Sequence, residues 1–151
     1  MKGRIIKIIS NDYTVLALDQ VFTCKARGRF RNEKIKPVVG DLVKFDPKEL
    51  MISEVYKRTN ELQRPTVSNV DQAIIVTSVF KPDFDTNLLD KLLVMVEYNQ
   101  IHPIICFTKL DLISGPTLRD IKKHMKYYKK IGYKVVTNTQ LLRIKRLIKN
   151  E

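Results

Sequence analysis

This 151-residue chain is poor in three residue types that often mark a site: it has two cysteines, two histidines and five glycines. Cys24 and Cys106 stand too far apart in sequence to make a disulfide framework or a metal cluster. With His102 and His124 as the only histidines, a structural zinc site has too few ligands. The glycines fall at positions 3, 28, 40, 115 and 132, and none is followed by Lys-Ser or Lys-Thr. The chain therefore lacks a loop of the form Gly-x-x-x-x-Gly-Lys-Ser/Thr, whose backbone N–H groups cradle a polyphosphate. No apolar run approaches the roughly 20 residues of a membrane helix. The apolar positions after Met1-Lys2-Gly3-Arg4 are broken by Lys7, which argues against a secretory leader. These absences make a soluble, cytoplasmic protein with no membrane partner the expectation.

Positive charge is what the sequence has in excess. Lys and Arg number 28 against 16 Asp and Glu, a net charge of +12. At 44% hydrophobic and 29% charged residues the composition is that of a folded chain rather than a disordered one. A chain of this length buries roughly 68–70% of its unfolded surface. The excess charge is evenly spread, with 14 basic and 8 acidic residues in 1–65 and the same numbers in 66–151. Such a spread suits a polyanion-facing surface along the whole molecule. A soluble protein with a general basic bias is the plainer alternative.

Hydrophobic rhythm changes near residue 65. Before it, apolar residues come in short runs or alternation (Ile5-Ile6, Val15, Val21-Phe22, Leu42-Val43, Phe45, Met51-Ile52), with turn signals at Ser10-Asn11-Asp12, Leu18-Asp19-Gln20 and Val39-Gly40-Asp41. That pattern predicts about five antiparallel strands closed into a small barrel, an OB-fold first and an SH3-like barrel second. After Arg64-Pro65 the order becomes strand, helix, strand, helix, strand. Ala73-Ile74-Ile75-Val76 is a continuous apolar run expected of a strand covered on both faces. Asp83-Phe84-Asp85 offers capping carboxylates to a helix over Leu88–Val96, and Pro103–Phe107 reads as a second buried strand. Residues 117–131 form an amphipathic helix and Lys134–Thr137 a third strand. Alternating elements of this kind imply a parallel sheet. Length alone predicts about one domain, whereas the change of rhythm predicts two, 1–65 and 66–151, joined through an ordered connection over Arg58–Val70.

The sharpest chemical signal is Thr108-Lys109-Leu110-Asp111, directly after the apolar strand ending at Phe107. In an open parallel sheet, ligands meet the chain at the carboxyl ends of strands. The residue types suit guanine. A carboxylate at Asp111 can accept from both the N1–H and the exocyclic amine. Adenine lacks that amine and presents an acceptor at N1, leaving a desolvated carboxylate unpaired at a cost of at least about 1–3 kcal/mol. The Lys109 stem is expected to lie across the flat base with its ammonium in water. The Thr108 hydroxyl is expected to tie the loop to neighbouring backbone.

Basic clusters form the other candidate sites. Lys25, Arg27, Arg29, Arg31, Lys34 and Lys36 fall in the loop region after the third barrel strand, with Phe30 between two arginines. Cations of this kind hold phosphates, and an exposed aromatic ring stacks on an unpaired base. A solvated loop with Phe30 packed into the barrel is the alternative. Lys122, Lys123, Lys126, Lys129 and Lys130 lie opposite the apolar stripe of their helix. That is the ordinary solvated side of an amphipathic helix, with RNA contact as the other reading.

Several segments together resemble one family. Asn69-Val70-Asp71-Gln72-Ala73, Pro82-Asp83-Phe84, Asn87-Leu88-Leu89-Asp90 and Pro103-Ile104-Ile105-Cys106-Phe107-Thr108-Lys109-Leu110-Asp111 resemble RsgA, the bacterial small-ribosomal-subunit-dependent GTPases also called YjeQ or YloQ. Gly3-Arg4-Ile5-Ile6, Ala26-Arg27-Gly28-Arg29-Phe30-Arg31 and Pro37-Val38-Val39-Gly40-Asp41 extend the likeness through the first half. It runs in order over nearly the whole chain and fades after Gly132-Tyr133.

The resemblance implies an OB-fold RNA-binding domain at 1–65 and, at 66–151, the first part of a circularly permuted P-loop GTPase domain in which guanine recognition precedes the phosphate loop. It implies late maturation of the small ribosomal subunit, with rRNA as partner. GTP with Mg²⁺ would serve the complete protein, a zinc site would lie only in a C-terminal region, and the protein would be a monomer. By residue match, Thr108, Lys109, Leu110 and Asp111 take the base-recognition role, and Asn138 and Thr139 stand where a second guanine-contacting loop is expected. The phosphate loop is absent, and no Asp has a Gly three positions later. Phosphoryl transfer rests on positioning and charge stabilisation at those parts. The 151 residues are therefore expected to carry no catalytic residue, no metal ligand and no GTP hydrolase activity of their own. The leading expectation is the N-terminal portion of a longer GTPase. The alternatives are a non-catalytic RNA-binding protein with a scaffold α/β half, and a degenerate relative that binds guanine nucleotide without turnover.

Overall fold

Alternation of inward apolar side chains with outward, solvent-facing ones, broken by a bulge after Ile5, builds the first sheet. A computed structural model describes residues 1–28, 36–140, 145 and 147. Strands β1 (Lys2–Ile9), β2 (Asp12–Ala17), β3 (Gln20–Ala26), β4 (Leu42–Asp46) and β5 (Met51–Val55) close in the order β1-β2-β3-β5-β4. Closure comes from β1 pairing with β4 through Lys2↔Lys44, Gly3↔Val43 and Arg4↔Leu42. The pairs are antiparallel except β3 with β5, which run parallel at Lys25↔Met51 and Ala26↔Ile52. This is the five-stranded OB-type barrel. Its interior is filled by Ile5, Val15, Ala17, Cys24, Val43, Phe45 and Ile52.

The stretch expected to be an ordered connection contains two more strands, β6 (Glu61–Gln63) and β7 (Thr66–Ser68), paired antiparallel. The chain divides into two compact units after Val70, not after residue 65, because this hairpin is bonded to the barrel. Ser68 N donates to Val39 O at 2.9 Å, and Asn69 Nδ2 donates to Gly40 O at 3.0 Å.

The second unit holds β8 (Gln72–Ser78), α1 (Thr86–Tyr98), β9 (His102–Thr108), α2 (Gly115–Lys130) and β10 (Lys134–Thr137). Its three strands are parallel in the order β10-β9-β8, so β9 is central. Asp85 caps α1, its Oδ1 accepting from Asn87 N at 2.8 Å and Leu88 N at 3.3 Å. Helix α1 buries Leu89, Leu93 and Val96, and α2 buries Ile121 and Tyr128. The Tyr128 hydroxyl donates to Asp90 at 2.7 Å, and burial together with that carboxylate raises its pKa.

Coverage of β8 differs from the expectation of two buried faces. Ile75 is buried, but Ile74 is 37% and Val76 65% exposed. Register explains it: Ile74 and Val76 pair with Ile104 and Cys106, on the face opposite Ile75 and Ile105. On that face Leu147 packs against Ile104, Cys106 and Val136. Cys24 and Cys106 are both buried core residues, and burial pushes both thiol pKa values up.

Candidate functional site

The central strand β9 delivers Thr108 to the carboxyl edge of the sheet. There the backbone turns sharply, with Lys109 at φ +63° and a single 3-10 turn over Leu110–Leu112. The Thr108 hydroxyl donates to Thr77 O at 3.2 Å, locking the strand end to β8 as its residue type implied. Lys109 also bonds to backbone: its ammonium donates to Phe80 O at 3.0 Å and, at an exposed contact, to Lys81 O at 2.6 Å. The left-handed backbone at Lys109 and the open carbonyls of the loop after β8 bring the two together. Lys109 is thus a clasp between two edge loops.

Asp111 is exposed, sits in the 3-10 turn, and makes no ion pair among the described residues. With no partner among the described residues, this carboxylate beside a fixed turn can accept from an incoming ligand. The loop after β10 lies alongside. Asn138 N donates to Phe107 O at 3.2 Å, the Thr137 and Thr139 hydroxyl oxygens are 2.9 Å apart, and Gln140 N closes a turn onto Thr137 O at 3.0 Å. Thr108–Asp111 and Asn138–Thr139, separated by nearly thirty residues in sequence, therefore share one rim because β9 and β10 are neighbours in the sheet.

The barrel carries a separate cleft of about 800 Å³. Lys25, Arg27 and Lys36 line it together with Tyr13, Val39 and Thr66. All three cations are exposed, and Arg27 reaches Glu49 only at 3.5 Å. Three expected cations thus meet around one concavity. Arg29, Phe30, Arg31 and Lys34 lie outside the described residues.

One wall of this cleft is fixed by a buried ionic cluster. The Asp41 side chain is fully buried. It accepts from Arg58 Nε at 2.7 Å, Arg58 Nη2 at 2.8 Å, Ser68 Oγ at 2.6 Å and Val38 N at 2.8 Å. Arg58 also donates to Glu61 at 2.6 Å and to Lys36 O at 2.8 Å. The hydrogen bonds to Asp41 raise the Arg58 pKa against the opposing effect of burial, so the guanidinium stays charged. Two residues lining the cleft are tied to this pair, Lys36 through its carbonyl and Val38 through its backbone N–H and C=O. Charge patterning alone did not single out Arg58 or Asp41. The available hint was an Asp directly after a turn glycine, at Gly40-Asp41.

Known proteins resemble this chain in sequence and in fold. A family model described as the RsgA GTPase matches residues 55–150, and one described as the RsgA N-terminal domain matches residues 2–51. The chain belongs to the RsgA family. A relative from Oceanobacillus iheyensis, small ribosomal subunit biogenesis GTPase RsgA 2, is 52% identical over 137 residues, covering 89% of this chain and 47% of that protein. The RsgA protein of Bacillus velezensis is 48% identical over 140 residues with the same coverage, 89% and 47%. Among solved structures, YloQ, described as a circularly permuted GTPase, superposes with a TM-score of 0.77 at 46% identity, covering 90% of this chain and 50% of that one. YjeQ from Thermotoga maritima gives 0.80 at 34% identity with the same coverage, 90% and 50%. The chain spans about half the length of the RsgA relatives it matches.

Proposed function

We propose that this chain is the RNA-binding and base-reading part of a GTPase that assists maturation of the small ribosomal subunit in the cytoplasm, acting as a monomer. The observation that carries the reading is the placement of Thr108–Asp111 at the carboxyl end of the central parallel strand, with Asn138 and Thr139 on the same rim. Guanine enters this rim edge-on. Asp111 accepts from the base N1–H and exocyclic amine, Thr108 holds the strand end, and Lys109 fixes the turn through the carbonyls of Phe80 and Lys81. Asn138 and Thr139 close the far side of the base. On the barrel, Lys25, Arg27 and Lys36, together with Arg29, Phe30, Arg31 and Lys34 from the intervening sequence, hold rRNA phosphates and an unpaired base.

GTP carries its own electrophilic phosphate, and Mg²⁺ neutralises charge on it when bound. This chain offers neither a phosphate loop nor, among the described residues, three His, Cys, Asp or Glu side chains gathered as a metal site. The residues here fit the base and not the triphosphate, its Mg²⁺ or a zinc ion, so no step of hydrolysis is placed on them.

Asp111→Asn tests the base reading. An amide keeps one acceptor but turns a donor toward a donor edge of guanine, so guanine-over-adenine preference falls by about 1–3 kcal/mol, or five- to 150-fold. Competition between GMP and AMP reads it. An unchanged preference in the variant removes Asp111 from the site.

A further inference from the structure

We propose that the basic face of α2 is a second docking surface, distinct from the barrel cleft, for the phosphate backbone of RNA. The inference rests on the RNA-binding reading above and extends it to the other compact unit. Helix α2 carries Arg119, Lys122, Lys123, Lys126, Lys129 and Lys130 against a single carboxylate, Asp120, so 16 residues hold +5 of the chain's +12. At 3.6 residues per turn the six cations fall within an arc of about 120°, and from Arg119 to Lys130 they run for about 16 Å. All six are exposed, and none makes an ion pair among the described residues. Asp120 stands outside the arc and faces His124 at 3.6 Å.

Helix stability explains only part of this arrangement. Lys129 and Lys130 in the last turn complement the negative end of the helix dipole. Arg119, Lys122, Lys123 and Lys126 lie too far from that end to gain from it. The pairs Arg119/Lys123, Lys122/Lys126 and Lys126/Lys130 are like charges at i,i+4, each of which weakens a helix. A merely solvated face would relieve that repulsion with interspersed acids, as α1 does with Asp90, Lys91 and Glu97. The cationic arc of α2 keeps one sign throughout, an arrangement that gains only when a row of negative charges lies against it.

Chemistry selects the partner. Lysine is a point charge suited to phosphate oxygens without base specificity. A membrane surface would require an apolar face free to insert. The apolar side of α2 is committed to the fold through buried Ile121 and Tyr128.

The test measures binding of the 151-residue chain to small-subunit rRNA between about 50 and 200 mM salt. Replacing Lys122, Lys123 and Lys126 together by Gln, a good helix former, lowers affinity about tenfold or more at the low-salt end. It also flattens the log–log salt slope by about 2, three phosphate contacts at roughly 0.7 each. Replacing the same three by Arg keeps the charge and restores both, which a purely structural role of lysine would not predict. Lys25→Gln with Arg27→Gln on the barrel is the parallel arm. If the barrel pair moves the slope and the helix triple does not, the α2 proposal falls while the barrel reading stands. If the unaltered chain does not bind rRNA, both fall. Lysine-dependent binding to phosphatidylserine vesicles with no lysine-dependent rRNA binding also overturns it.

Discussion

Arg58→Ala lowers the stability of the barrel unit by about 3–5 kcal/mol, the usual penalty for removing one partner of a buried ion pair. The Asp41 carboxylate, fully buried, would keep its bonds from Ser68 and Val38 but lose its counter-charge and two charge-assisted hydrogen bonds. Lys36 O and Glu61 would lose a donor at the same time. The effect reaches the cationic cleft, because the segment Lys36–Val39 walls it. Urea unfolding reads the loss as a lower midpoint at unchanged slope. Arg27→Ala is the contrast. Its partner Glu49 is 3.5 Å away with both side chains more than half exposed, so breaking that pair costs at most about 1 kcal/mol. If the two variants lose equally little, the cluster is not what holds the hairpin to the barrel.

Gly40→Ala is expected to be comparably damaging for a different reason. Gly40 has φ +94°, and a Cβ there would lie 1.9 Å from Ser68 O and 2.9 Å from Ser68 C. Both obstacles are main-chain atoms, so no side chain can swing aside. The hairpin would have to retreat, breaking Ser68 N to Val39 O and Asn69 Nδ2 to Gly40 O. Backbone strain and overpacking together amount to about 2–6 kcal/mol. Gly28, with open space where its Cβ would stand, is the control, and its change to Ala shifts stability by no more than about 1 kcal/mol. Thermal unfolding of the two variants side by side separates a steric requirement from a general intolerance of substitution.

What could be read from the sequence follows from which forces are local. The barrel strands were legible because Val15 and Ala17, or Val43 and Phe45, alternate with exposed neighbours, and period-2 burial writes itself into composition. The β8 run misled because a row of Ile and Val reports strand preference, not how many layers cover it. The hairpin at 61–68 was missed because it is short and mostly polar. Its place is set by Asp41, Gly40 and Val39, more than twenty residues earlier. At the carboxyl end of β9, the placement of Thr108 and Asp111 was legible from their position after an apolar strand. The Lys109 clasp was not, because the carbonyls it holds come from a loop 28–29 residues away. Charge singled out Lys25, Arg27 and Lys36, whereas the cleft they line depends on Tyr13 and Thr66 from other strands.

The most direct test of the account is a backbone-amide NMR titration of the chain with guanosine and with adenosine, each at millimolar concentration. Guanosine is expected to shift the amides of Thr108–Leu112 and Thr137–Gln140 while leaving the barrel unmoved, and adenosine to leave all of them in place. Equal responses to the two nucleosides, or guanosine shifts confined to the barrel, would contradict it.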